Sequence, residues 1–229
     1  MRATVLLSLV PFIQGVLCAT DVSGGSPATI NDLPYLVSVL RSGSPTCGGV
    51  LIANNRVLTS AQCVYGAEAS PSSFSVRTGS SQTLSGGSAF TVSKIARHSQ
   101  FNPTTYDYDV AVLTLITSIT PGPTVALIDL VPSGQEPAVE TECVASGWGD
   151  LERQLQSVTL PIVDRDTCDQ AYGGRITDRM ICAGGEAGKG TCPGDRGGPL
   201  TCGGQIAGII SQTNGCDLLG LPDVFTDVA

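Results

Sequence analysis

From Tyr35 to its end the chain alternates short apolar, β-branched or aromatic segments with clusters of Gly, Pro, Ser and Asn, and no stretch sustains a long helical period. A chain divided in this way does not make a helix bundle; short strands at regular spacing with turn residues between them read as a sandwich or a barrel. Candidate strands lie at 35–40, 49–52, 56–59, 74–78, 90–95, 110–115, 143–147, 158–163, 180–183 and 205–210. The stretch 117–137 carries Pro121, Pro123, Pro132 and Pro137 and reads as a linker crossing between two sets of strands. With 229 residues, 41% of them hydrophobic and 14% charged, there is apolar material for one large all-β domain or two small ones.

Residues 1–19 begin with Arg2, continue through an apolar run and end in small residues, which is the plan of a secretory signal peptide. The run is too short to span a bilayer. Its removal would take away Cys18 and leave an even set of cysteines: Cys47, Cys63, Cys143, Cys168, Cys182, Cys192, Cys202 and Cys216. In an exported chain such a set favours disulfides over metal, and neither a CxxC pair nor clustered histidine points to zinc. No metal and no cofactor are expected. With 20 acidic against 12 basic residues and no basic block, nucleic acid, polyanions and anionic membranes are unsuitable partners.

The chemistry-bearing stretch is Cys192-Pro193-Gly194-Asp195-Arg196-Gly197-Gly198-Pro199. Cys followed by Gly-Asp-X-Gly-Gly-Pro resembles the nucleophile loop of the trypsin-like, chymotrypsin-fold serine endopeptidases, with Arg196 at the position of the attacking serine. The segment 57–63, Val-Leu-Thr-Ser-Ala-Gln-Cys, resembles the family's Leu-Thr-Ala-Ala-His-Cys and puts Gln62 at the base, while Tyr108-Asp109-Val110-Ala111 matches the orienting carboxylate. The resemblance covers 22–229 and implies an all-β fold of two six-stranded antiparallel barrels with a cleft between them. On that plan a first barrel takes about 22–120, a linker about 117–137 and a second barrel about 138–229. The sequence ends at Ala229, where relatives continue into a terminal helix, so that helix is expected to be missing. The resemblance also selects, from roughly a hundred possible pairings, the bridges Cys47–Cys63, Cys143–Cys202, Cys168–Cys182 and Cys192–Cys216.

What it implies for the site follows position by position. A glutamine amide takes up no proton near neutrality, and a guanidinium is not a nucleophile. Gln62 is expected instead to donate its NH2 to Asp109, with Ser211 donating its hydroxyl, so that the buried carboxylate is satisfied. Arg196 is expected to fill the cleft with a fork suited to a carboxylate. The alternative is that it swings out to solvent. Gly194 and Arg196 supply the amides of the oxyanion hole. Val22-Ser23-Gly24-Gly25 lies where a new N-terminus would be freed, and Asp195 where its ammonium would be paired, but no Lys or Arg precedes Val22. The specificity pocket falls on Gly190, Ser211, Gln212, Thr213 and Asp223, with Asp223 as a negative floor that Arg196 or a partner's basic side chain would neutralise. His98, the single histidine, is expected to be exposed and structural.

On this reading the chain is not an enzyme. It is a secreted, non-catalytic homologue that binds a secreted protein, a glycosidase or protease being the candidates, as inhibitor, decoy or cascade regulator. The alternatives are an active trypsin-like endopeptidase and a functionless paralogue. Oligomeric state is left open.

Overall fold

The computed structural model describes residues 22–149, 154–213, 215–216 and 220–229; the leader expected at 1–19 lies outside the described residues. Strands β1 (Ser26–Pro27), β2 (Leu36–Arg41), β3 (Ser44–Ala53), β4 (Arg56–Thr59), β5 (Phe74–Thr78), β6 (Ser88–Arg97) and β7 (Ala111–Leu115) come first. Then follow β8 (Glu142–Gly147), β9 (Gln156–Val163), helix α1 (Arg165–Ala171), β10 (Met180–Gly184), β11 (Pro199–Cys202), β12 (Gln205–Gln212) and β13 (Pro222–Asp227). The order β2-β3-β4-β7-β6-β5 closes on itself as one antiparallel barrel. A second closes as β8-β9-β10-β13-β12-β11 with β11 returning to β8, and β1 adds to the side of β9. The expected pair of six-stranded barrels is therefore present.

Alternation explains why these segments become walls. In β5 and β7 every second residue is buried, so Phe74, Val76, Leu113 and Leu115 fill the first barrel. Leu160, Ile162, Leu200, Ile210 and Phe225 fill the second, around the Cys143–Cys202 bridge. Val50 and Leu58 of the first barrel pack with Ile206 and Ile209 of the second and with Ile128 of the connecting stretch. That shared cluster holds the barrels together, and beside it the chain just after β4, just before β7 and at the end of β12 is joined by hydrogen bonds.

Several elements went unread in the sequence. β11 and β13 each open with a proline, which argues against a strand interior but is tolerated at a first strand position, where the missing N–H is not needed. Helix α1 is too short to show a period; Asp164 caps it by accepting the Thr167 amide at 3.0 Å, and Cys168 ties it to Cys182 of β10. The other bridges are Cys47–Cys63 and Cys192–Cys216, so all four pairings implied by the family pattern are formed. Among the described residues no helix is long and apolar enough to cross a membrane.

Candidate functional site

Asp109 is fully buried where the two barrels meet. It follows Tyr108, whose φ of 56° lies in the left-handed region that costs a non-glycine residue about 1 kcal/mol or more. Packing against the Tyr108 ring offsets this: His98 stacks on it at 4.5 Å and 3°, and the Arg179 guanidinium lies 5.0 Å from its centre. His98, expected to be exposed, is half-buried because of that stack, and its Nδ1 accepts the Gln100 amide at 3.3 Å.

Two chain segments, 60–62 and the end of β12, converge on the carboxylate. Oδ1 accepts the Ser60 hydroxyl at 2.8 Å and the Gln62 backbone amide at 2.8 Å; Oδ2 accepts the Gln62 side-chain amide at 2.5 Å and the Ser211 hydroxyl at 2.6 Å. Four donors match the acceptor capacity of an ionised carboxylate, which removes most of the several kcal/mol that burying it bare would cost. Ser211 reaches Asp109 because of a bulge: Ile210 pairs with Phe225 and Gln212 with Val224, so Ser211 is the extra residue and its side chain is re-aimed toward the first barrel. Thr226 of β13 adds a bond to the Asp109 carbonyl at 2.9 Å. Ser60 and Thr226 escaped the sequence reading. Ser60 had a signal, its position two residues before Gln62, whereas Thr226 had none.

Gln62 also donates to the Ser211 carbonyl at 2.9 Å, and Arg196 Nε donates to the same oxygen at 3.3 Å. Gln62, Asp109, Ser211 and Arg196 are thus brought into one network spanning both barrels. Disulfides brace it: Gln62 precedes Cys63, which is tied to Cys47 of β3, and Arg196 lies between Cys192 and its partner Cys216. Arg196 is half-buried and follows a 3-10 turn at Pro193–Asp195. Its own amide donates to the Pro193 carbonyl at 3.4 Å, so that N–H closes the turn, whereas the oxyanion reading has it pointing into the cleft. The next residue, Gly197, has a φ of 81°, and a Cβ there would lie 2.3 Å from the Thr59 hydroxyl. Only glycine lets this loop meet the first barrel so closely.

Asp195 is fully buried, its Oδ1 accepting the Gly149 amide at 2.7 Å and its Oδ2 the Cys192 amide at 2.9 Å. Val22 is buried among the second-barrel residues. Ser23 and Gly190 exchange both backbone hydrogen bonds, at 2.9 and 3.1 Å, so the segment carrying Val22 is laid along the rear of the pocket. Asp223, 2% exposed on β13, is held through Oδ2 by the Thr191 amide at 2.5 Å and the Thr191 hydroxyl at 2.8 Å. The pairing of Arg196 with Asp223 does not form; Arg196 turns to Ser211 instead. Thr213 is half-buried. Gln212 lines a groove of about 520 Å³ with Thr104, Thr105 and Asp107 on one side and Tyr172, Arg175 and Ile176 on the other. Among the described residues no cluster of His, Cys, Asp or Glu stands ready to hold a metal.

Two comparisons bear on this site. The trypsin family model matches residues 22–229. Trypsin delta of Drosophila melanogaster is 37% identical over 228 residues, covering 94% of this chain and 88% of that protein. Trypsin Blo t 3 of Blomia tropicalis is 39% identical over 217 residues, covering 89% and 80%, and Trypsin alpha-4 of Lucilia cuprina is 36% identical over 238 residues, covering 100% and 89%. These relatives overturn the expectation that the chain is not an enzyme. That expectation rested on the side chains at two positions, whereas the likeness to proteins named as trypsins runs along nearly the whole chain.

Proposed function

The chain belongs to the trypsin family, and on that premise we propose that it is a secreted protein whose inter-barrel cleft receives an extended segment of another secreted protein. The observation that carries this is the groove bounded by Thr104, Thr105 and Asp107 of the first barrel and by Tyr172, Arg175, Ile176 and Gln212 of the second, in which Gln212 directly follows Ser211, whose carbonyl accepts from Gln62 and Arg196. A concave channel with a few fixed polar groups, lying where two lobes meet, is the usual form of a binding site. Four disulfides support an oxidising compartment, because such bridges persist outside the cytosol and are rare within it. The relatives' name, trypsin, makes peptide-bond hydrolysis the activity to measure at this cleft.

The test uses the purified chain with a library of fluorescent, unstructured dodecapeptides. Binding is followed by anisotropy, and the same samples are analysed by mass spectrometry for fragments. Saturable binding that is lost on Thr105→Trp, a bulky change on the groove wall, supports the reading. Fragments that accumulate in proportion to the chain's concentration add turnover to binding. Absence of binding, or binding indifferent to Thr105→Trp, overturns it.

A further inference from the structure

Arg196 carries a permanent charge into a half-buried position between the barrels, where its carbonyl accepts the Gly48 amide of the first barrel. Its Nε donates to the Ser211 carbonyl. Among the described residues no carboxylate pairs with it, although Arg97, Arg165, Arg179 and Lys189 each have one within 2.9 Å. The acids closest to it in the fold are otherwise engaged: Asp109 by Ser60, Gln62 and Ser211, Asp195 by the amides of Gly149 and Cys192, and Asp223 by Thr191. In a protein with 20 acidic and 12 basic residues, the guanidinium fork at this spot lacks the one group that fits it best.

A second arginine repeats the pattern. Arg175 lines the groove together with Gln212, the residue after Ser211, and is likewise anchored by Nε to a backbone carbonyl, that of Tyr172, at 2.8 Å. It too pairs with no carboxylate among the described residues. The groove's own acid, Asp107, is neutralised by Arg179, whose Nε and a terminal nitrogen donate at 3.0 and 2.9 Å. The groove therefore presents positive charge on an otherwise negative protein.

We infer that the segment taken up by the cleft is acidic and docks a carboxylate on Arg196, with Arg175 favouring further negative charge along the groove; this rests on the binding reading above. Complementary charge of this kind selects partners more than it adds raw affinity. The carboxylate is either an Asp or Glu side chain or a chain end.

Three labelled dodecapeptides separate the possibilities: one with two central Glu residues and an amidated end, the same with Gln in place of Glu, and the Gln peptide with a free C-terminal carboxylate. Anisotropy titrations on the full secreted chain are expected to give the Glu peptide a Kd about tenfold below that of the amidated Gln peptide. The gap should narrow as salt is raised. In Arg196→Gln it should shrink to within about twofold, while Arg196→Lys keeps part of it, far-UV circular dichroism verifying that both variants are folded. Preference for the free-ended Gln peptide, lost in Arg196→Gln, supports the inference with a chain end as the carboxylate. Equal affinity for all three peptides overturns the carboxylate inference and leaves the binding reading standing. A preference that survives Arg196→Gln overturns the assignment to Arg196. Failure of every peptide to bind overturns both readings.

Discussion

The Gln62 side-chain amide lies 2.5 Å from Asp109 Oδ2 and 2.9 Å from the Ser211 carbonyl, so one side chain of the first barrel serves a buried charge and an edge of the second barrel at once. Gln62→Ala removes both bonds. Losing a donor to a buried charge costs about 1.5 to 3 kcal/mol, so denaturant melts should show a loss of that size. Gln62→Glu sets a second carboxylate against the first. It should destabilise more than alanine at pH 7 and recover on acidification, when the introduced group is protonated. Equal stability of Gln62→Ala and wild type would show that Ser60, Ser211 and the Gln62 backbone amide satisfy Asp109 unaided.

Gly147 touches Asp195 in a way that admits no side chain. A Cβ at this position would lie 2.0 Å from Asp195 Oδ1, and Asp195 is fully buried under the loop carrying Arg196. Gly147→Ala therefore forces the carboxylate off the Gly149 amide, leaving a buried charge short of a partner, a change expected to cost about 3 kcal/mol or more. Gly122, around which a Cβ meets nothing within 4 Å, is the control. Gly122→Ala should stay within about 0.5 kcal/mol of wild type. Secreted yield and the denaturation midpoint read out both.

Helix α1 is held mainly by one covalent tie. Its single buried residue is Cys168, bonded to Cys182 of β10. Replacing both cysteines by serine releases a short helix with little packing of its own and should cost about 2 to 4 kcal/mol. Hydrogen exchange should show the added opening at Arg165–Ala171 and in β10 before it appears in the first barrel. Uniform loss of protection across both barrels would contradict this.

How much of this was legible in the sequence depends on the range of the interactions involved. β5 matches its expected bounds because alternation between core and solvent is a local signal, and β4 because its short apolar run is bounded by the turn residues Asn54 and Asn55. β3 and β6 extend further than read, since Ser44 and Ser88 are polar hairpin residues recruited by pairing with Arg41 and Thr78. At the site, Gln62, Asp109 and Ser211 come from segments up to 149 residues apart, and only the family resemblance united them. The direction of Arg196 was beyond reach: Asp223 offered the opposite charge, but Thr191 holds that carboxylate and Arg196 bonds the Ser211 carbonyl. Two unusual side chains also weighed too heavily against a whole scaffold, which is why the non-enzyme expectation fell.

Stability should also carry a signature of Asp227. Burial, opposed by the Ala229 amide at 2.9 Å and more weakly by Arg165 and reinforced by Glu136, pushes its carboxyl up to about 6 from an ordinary 3.8. Arg165 is 3.6 Å from Asp227 but 2.9 Å from Glu136, so the cation is shared and the second acid is only partly neutralised. A carboxyl whose folded pKa lies above its unfolded value binds its proton more tightly in the native state. Its contribution favours folding at low pH and is lost as pH rises from about 4 through about 6. After discounting for partial solvation, the loss is on the order of 1 to 2 kcal/mol. Carboxylates held low in the fold, such as Asp107 beside Arg179 and Thr177, act in the opposite sense in a more acidic range. The test is therefore a difference. Stability of Asp227→Asn minus that of wild type should rise between pH 4 and pH 6 and be flat on either side. Adding Glu136→Gln to both proteins should move that rise to lower pH, because one source of the upward push is gone. A difference that does not change with pH would show that Asp227 titrates alike in the folded and unfolded chains.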